Sequence, residues 1–177
     1  ALAIGITPNA VTFIGALGLV TSALYFYPKG DFFIGTLVIS FFALSDLFDG
    51  AMARISHKGA SAWGGFLDST IDRVTDSAIL VGLTLYLVDV DDALTAVVIG
   101  ALVFGSLVSY IRAKAESMQI ACSGGIAERT ERLIISLTAI GLEGLGVPYA
   151  LAIGIWLLLA LALVTVIQRI LIVKAAL

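Results

Sequence analysis

Four aspartates occupy places where an apolar chain should not carry charge. The stretch SDLFDGAMAR (45–54) holds Asp46 and Asp49, three apart, followed by Gly50, Ala53 and Arg54. The stretch GGFLDSTIDR (64–73) holds Asp68 and Asp72, four apart. Either spacing puts both members of a pair on one helix face. A charged acid inside a membrane span costs about 2.5–3.5 kcal/mol on insertion scales. Four together also repel, so the cluster persists only with a cation to offset it. Oxygen donors with no His or Cys among them suit Mg²⁺, Mn²⁺ or Ca²⁺ and disfavour Zn²⁺. Gly50, Ala53, Gly64 and Gly65 leave room for a bulky group to approach, and Arg54 offers a fork suited to phosphate. Acids for metal, an arginine for phosphate and missing side chains for a ligand together read as metal-assisted phosphoryl chemistry. Ion pathways also use intramembrane acids, so a cation transporter is the alternative from another class. Discontinuous helices would favour it, and neither 32–55 nor 64–90 contains an internal proline.

The elements that must carry these residues follow from composition. The chain has 177 residues, 60% hydrophobic and 13% charged, with mean hydropathy +1.09. Soluble domains are about half apolar and about one quarter charged, so the departure is toward the membrane. A helix needs about 20 mostly apolar residues to cross a bilayer. Six candidates fit, over 9–27, 32–55, 64–90, 93–117, 127–145 and 148–173. TPNA suggests a helix start, with Thr7 able to cap and Pro8 in the first turn. YPKGD, DVDD and EGLGVP read as short turns, and SHKGASAW and MQIACSGG as longer linkers. The expected fold is an all-α integral membrane protein, one domain over 1–177, built as a six-transmembrane-helix bundle. Lys29 is the one basic residue in the turns after the first, third and fifth spans. Arg54, Lys58, Arg73, Arg112, Lys114, Arg129, Arg132, Arg169 and Lys174 fall at or near the opposite ends. The positive-inside rule makes those ends cytoplasmic. Both termini and the aspartates then lie toward the cytoplasm of a multi-pass cell-membrane protein.

Other features bound the reading. A net charge of −3 lends no support to nucleic-acid binding, and Cys122, the single cysteine, permits neither an intrachain disulfide nor a cysteine metal site. No signal peptide is visible. The start ALAIGITPNA lacks an initiator methionine, so a preceding N-terminal segment, an amphipathic helix, is expected to be missing. His57 reads as a solvated linker residue. Trp63, Trp156 and the tyrosines read as interface anchors or core, and GALG (15–18) permits close helix packing. Asp76 continues the Asp68/Asp72 stripe and is given no role.

Asp46, Asp49, Gly50, Ala53, Arg54, Gly64, Asp68 and Asp72 together resemble the signature of the CDP-alcohol phosphatidyltransferase family, D-x2-D-G-x2-A-R, a spacer, then G-x3-D-x3-D. All eight fixed positions are present, with a nine-residue spacer, and the six-span layout is similar too. The resemblance implies two divalent metal ions, Mg²⁺ with Mn²⁺ able to substitute, a CDP-diacylglycerol donor, attack by an alcohol on the lipid-side phosphorus, and CMP as leaving group. It implies that Asp46, Asp49 and Asp68 ligate metal, and that Asp72 is the catalytic base and also reaches a metal. It implies CDP-lipid contacts at Gly50, Ala53, Arg54, Ser61 and Gly64, and at Asn9, Ala10, Val11 and Thr12. Homodimers are common in the family.

The remaining cations bear on the acceptor. Arg129 and Arg132 open a helix in ERTERL, against its dipole. Local pairing, such as Glu128 with Arg132, is one account, and anion binding is the other. Arg112 and Lys114, two apart in SYIRAKAE, cannot share a face, and these and Arg169 could instead snorkel. Several cations near one cavity suggest an acceptor that carries its own phosphate. SYIRAKAE and IAERTERL look like the actinobacterial phosphatidylinositol-phosphate synthase subgroup, which implies inositol phosphate as acceptor. Phosphatidylglycerophosphate synthesis from glycerol 3-phosphate is the alternative within the family.

Overall fold

A computed structural model of the chain describes residues 8–44 and 62–177, and among them every regular element is helical. The order is α1 (Pro8–Phe26), a 3-10 turn (Tyr27–Lys29), α2 (Phe32–Ala43), α3 (Ala62–Asp89), α4 (Leu94–Ser117), α5 (Arg129–Gly144) and α6 (Ala150–Ala176). Pro8 opens α1, where its missing N–H has no helical partner to lose. The C-terminal part of the expected second span, from position 45 onward, lies outside the described residues.

Most helix ends fall within two residues of expectation, and the differences have local causes. α3 begins at Ala62, so Ala62 and Trp63 are helical and not linker. α5 begins at Arg129 and not at 127, because Glu128 is extended (φ −72°, ψ −172°) and the Ala127 N–H donates to Thr165 Oγ1 at 3.1 Å. α6 starts two residues late and runs three further, to Ala176.

The chain divides into two compact units, Ala1–Tyr86 and Leu87–Leu177. In the first, α1 and α2 form a hairpin. Its turn needs a left-handed residue, supplied by Gly30 (φ 77°), and closes with Gly30 N–H to Tyr27 O at 3.0 Å and Asp31 N–H to Phe26 O at 3.1 Å. Tyr27 is fully buried, and its hydroxyl shares a 2.9 Å hydrogen bond with Thr36 Oγ1. Phe32 meets Tyr86 edge to face at 4.8 Å between ring centroids. Small residues set the helix approaches, as GALG suggested. The Phe42 ring lies where a Gly18 side chain would stand, and a Cβ on Gly82 would sit 2.5 Å from the Ala23 carbonyl oxygen.

In the second unit α6 packs against both α4 and α5. Leu151, Ile155, Leu158, Ala162 and Val166 of α6 are buried, while Ile153, Trp156 and Ile167 are exposed. Gly154 admits the Ala139 side chain of α5. The DVDD turn carries a left-handed Asp91 (φ 53°), and Asp92 Oδ1 accepts the Leu94 N–H at 2.7 Å to start α4. At the other turn Glu143 Oε2 accepts the Leu151 N–H at 3.2 Å.

α4 and α6 are long and apolar enough to cross a membrane. α3 has the length, at 28 residues, but Asp68, Asp72, Arg73 and Asp76 interrupt its apolar character. α5 has 16 residues and a charged first turn.

Candidate active site

α3 places Asp68, Asp72 and Asp76 along one stripe, because positions four apart lie one turn above another. Asp68 is exposed and Asp76 is partly buried. Asp72 lies deeper than Asp68, with its side chain 13% exposed, and its Oδ2 is 3.7 Å from Arg73 Nη2. Buried Thr75 donates to the Asp72 carbonyl at 3.1 Å, which ties this turn of the helix. Gly65 stands on the same stripe, seven residues before Asp72. A Cβ there would meet no described atom within 4 Å. On the neighbouring surface Trp63 and Phe66 stack, 5.7 Å between centroids and 29° between planes, and both are exposed.

This donor set fits a hard divalent cation, with carboxylate oxygens one turn apart on α3. Among the described residues no three metal-ligating side chains come together, and Asp46 and Asp49, the other half of the expected set, lie outside them. So do Gly50, Ala53, Arg54, His57 and Ser61. Asn9 and Ala10 lie in the first turn of α1 and Val11 follows directly, and Thr12, the next residue, is partly buried. Gly64 falls in the first turn of α3.

The cations expected to meet the acceptor divide into two groups. Arg132 and Arg169 are buried, at 8% and 3% exposure, and both address the segment before α5. Arg132 lies beside Gly105 of α4, its Nε 3.6 Å from where a Cβ would stand, and its Nη1 donates to Ala127 O at 3.0 Å. Arg169 donates from Nε to Gly124 O at 3.0 Å and from Nη1 to Val108 O at 2.7 Å, with Nη2 3.7 Å from Glu128 Oε1. Arg169 therefore turns inward and does not snorkel, since backbone carbonyls offer its guanidinium better partners than the bilayer edge. Arg129 is partly buried at the start of α5. Arg112 and Lys114 form the second group and are exposed. Arg112 Nε pairs with Glu116 Oε1 at 2.9 Å. That partner was available in the sequence at i+4. Thr165 and Gln168, which also hold the segment before α5, carried no motif that could have marked them.

The chain as a whole is similar to known proteins. The model of the CDP-alcohol phosphatidyltransferase family matches residues 5–175. The phosphatidylinositol phosphate synthase of Streptomyces avermitilis is 45% identical over 179 aligned positions, covering 96% of this chain and 73% of the relative. That of Cutibacterium acnes is 41% identical, covering 97% and 87%. The crystal structure of Mycobacterium tuberculosis phosphatidylinositol phosphate synthase with CDP-DAG bound superposes with a TM-score of 0.92 at 39% identity, covering 97% of this chain and 88% of that one. The same enzyme in complex with manganese and citrate gives a TM-score of 0.91 at 38% identity, covering 98% and 85%. The protein belongs to the CDP-alcohol phosphatidyltransferase family.

Proposed function

We infer that this protein transfers a phosphatidyl group from CDP-diacylglycerol to a hydroxyl of inositol phosphate, giving phosphatidylinositol phosphate and CMP. The observation that carries the reading is the Asp68/Asp72 stripe on α3, with Gly65 on the same face, in a chain that holds all eight signature positions. The relatives named above support the choice of acceptor.

Asp46, Asp49, Asp68 and Asp72 are the residues for divalent metal, Mg²⁺ or Mn²⁺, and when bound a pair of such ions would neutralise diphosphate charge as CMP departs. Manganese in the Mycobacterium tuberculosis enzyme supports a divalent ion here. Arg54 forks onto the diphosphate, while Gly50, Ala53, Ser61, Gly64 and the Asn9–Thr12 turn border the CDP head. Asp72, the more buried member of its pair, takes the proton from the acceptor hydroxyl. The oxygen of that hydroxyl bonds to the lipid-side phosphorus, the bond from this phosphorus to the CMP oxygen breaks, and the electron pair leaves with CMP. Arg129, Arg132 and Arg169, with Arg112 and Lys114 nearer solvent, supply positive charge for the acceptor's phosphate. The chain acts as one membrane domain with six spans and both termini in the cytoplasm, forms a homodimer, and opens its site to the cytoplasm of the cell membrane. The cation count by side supports the orientation, and the exposed apolar side chains support the membrane setting.

Purified protein in detergent, with no ion gradient, should release CMP from CDP-diacylglycerol when inositol phosphate is added. Inositol working as well as its phosphate would refute the phosphate pocket. Preference for glycerol 3-phosphate would keep the pocket and refute the acceptor. Ion flux in sealed vesicles without CMP release would return the transporter reading.

A further inference from the structure

Three side chains on one turn of α6 hold the backbone that precedes α5. Thr165, Gln168 and Arg169 stand at i, i+3 and i+4, so they share a face. Arg169 Nε donates to Gly124 O at 3.0 Å, the Ile126 N–H donates to Gln168 Oε1 at 3.1 Å, and the Ala127 N–H donates to Thr165 Oγ1 at 3.1 Å. Gly125 (φ 124°) lets the segment lie directly on Thr165, whose Cγ2 occupies the place of any side chain there.

Thr165 and Ala127 are both fully buried. The Thr165 hydroxyl donates its proton to Leu161 O at 2.8 Å, which leaves its oxygen to accept from Ala127. Ala127 in turn accepts Arg132 Nη1 on its carbonyl at 3.0 Å. A continuous line of contacts therefore runs from α6 through one loop residue to the guanidinium of Arg132. Arg132 lies beside Gly105 on its other side, and the Ala127 carbonyl is one of the partners that hold its fork.

We propose that Thr165, assisted by Gln168, is a positioning residue for acceptor recognition, fixing Ala127 and through it the orientation of Arg132. The inference rests on the reading that Arg132 meets the acceptor's phosphate. Thr165 touches no substrate itself. Its replacement by valine keeps the shape but removes the acceptor oxygen, and a buried Ala127 N–H cannot remain without a partner. The loop must then shift, and Arg132 with it.

The test is steady-state CMP release by wild type, Thr165→Val, Thr165→Ser, Gln168→Leu, Arg132→Ala and the Thr165→Val/Arg132→Ala double variant. Thr165→Val should raise the KM for inositol phosphate about five- to tenfold and leave the KM for CDP-diacylglycerol unchanged. Thr165→Ser should restore it to within about twofold. Gln168→Leu frees an N–H at exposed Ile126, which water can satisfy, so this variant folds even if Thr165→Val does not. It should raise the acceptor KM about two- to fivefold. In the Arg132→Ala background Thr165→Val should add less than about twofold, because residues acting through one another are not additive. An additive double variant, an equal rise in donor KM, or unchanged acceptor KM in both Thr165→Val and Gln168→Leu would overturn the inference. An unchanged acceptor KM in Arg132→Ala would instead overturn the phosphate role of Arg132, and the inference with it.

Discussion

Arg169→Met isolates what one buried guanidinium does for the segment before α5. Methionine matches the stem in length and flexibility, so packing is largely kept. The variant loses the 3.0 Å bond to Gly124 O and the 2.7 Å bond to Val108 O. Hydrogen bonds from a charged donor contribute about 1.5–3 kcal/mol each, a gross loss of about 3–6 kcal/mol. The Glu128 contact adds little, being 3.7 Å long with a carboxylate side chain 46% exposed. Against the loss stands relief from burying the charge, which is several kcal/mol in proteins. Val108 O also sits within α4, so its remaining lone pair stays engaged. Gly124 O is left as the group that suffers most. A net destabilisation of about 2 kcal/mol of the local closed state results, which raises its open population about 30-fold. Proteolysis of a transiently opened segment follows that population when opening is fast. Trypsin cleavage after Arg129, in detergent at low protease, should therefore accelerate about 30-fold in Arg169→Met. Arg169→Lys, which can keep one bond but not the fork, should fall between. Cleavage within about twofold of wild type in Arg169→Met would refute the reasoning.

Asp68→Asn and Asp72→Asn should each lower turnover about 100- to 1000-fold, and chelation should abolish it in the wild type. Unchanged thermal unfolding in detergent is expected for both variants, since Asp68 is exposed and Asp72 only partly buried. Gly82→Ala should destabilise the protein by about 1–3 kcal/mol, because its Cβ would press on the Ala23 backbone at 2.5 Å and the backbone cannot rotate away. Gly100→Ala is the matching control: its Cβ would meet the flexible Leu159 tip at 3.4 Å, so its melting temperature should stay close to wild type.

What could be read from the chain, and what could not, separates by the range of the interaction. The stripe of Asp68, Asp72 and Asp76 depends only on helical repeat, and α3 carries it as spacing implied. The turns at Gly30 and Asp91 were legible because glycine and aspartate supply the needed backbone. The Arg112–Glu116 pair is equally legible at i+4, since it too depends only on helical repeat. Arg169 was different. Its acceptors belong to Gly124 and Val108, 45 and 61 positions away, and they are backbone carbonyls with no side-chain identity to read. The late start of α5 has the same origin: nothing in ERTERL says that Ala127 donates to Thr165 and not into its own helix.

The clamp on this segment also has a consequence for biosynthesis. Residues 124–127 are held by partners that lie 38 to 45 positions later in the chain. A ribosome adds about 5–20 residues per second, so this stretch waits about 2–9 s before its partners exist. Until then Ala127 has no Thr165 to meet, and Arg132 has no fixed carbonyl on which to rest. The setting of Arg132 and Arg169 is thus completed only when α6 has been made and docked. A chain stalled within α6 before Thr165 would carry every signature aspartate and still lack the fixed backbone on which Arg132 rests.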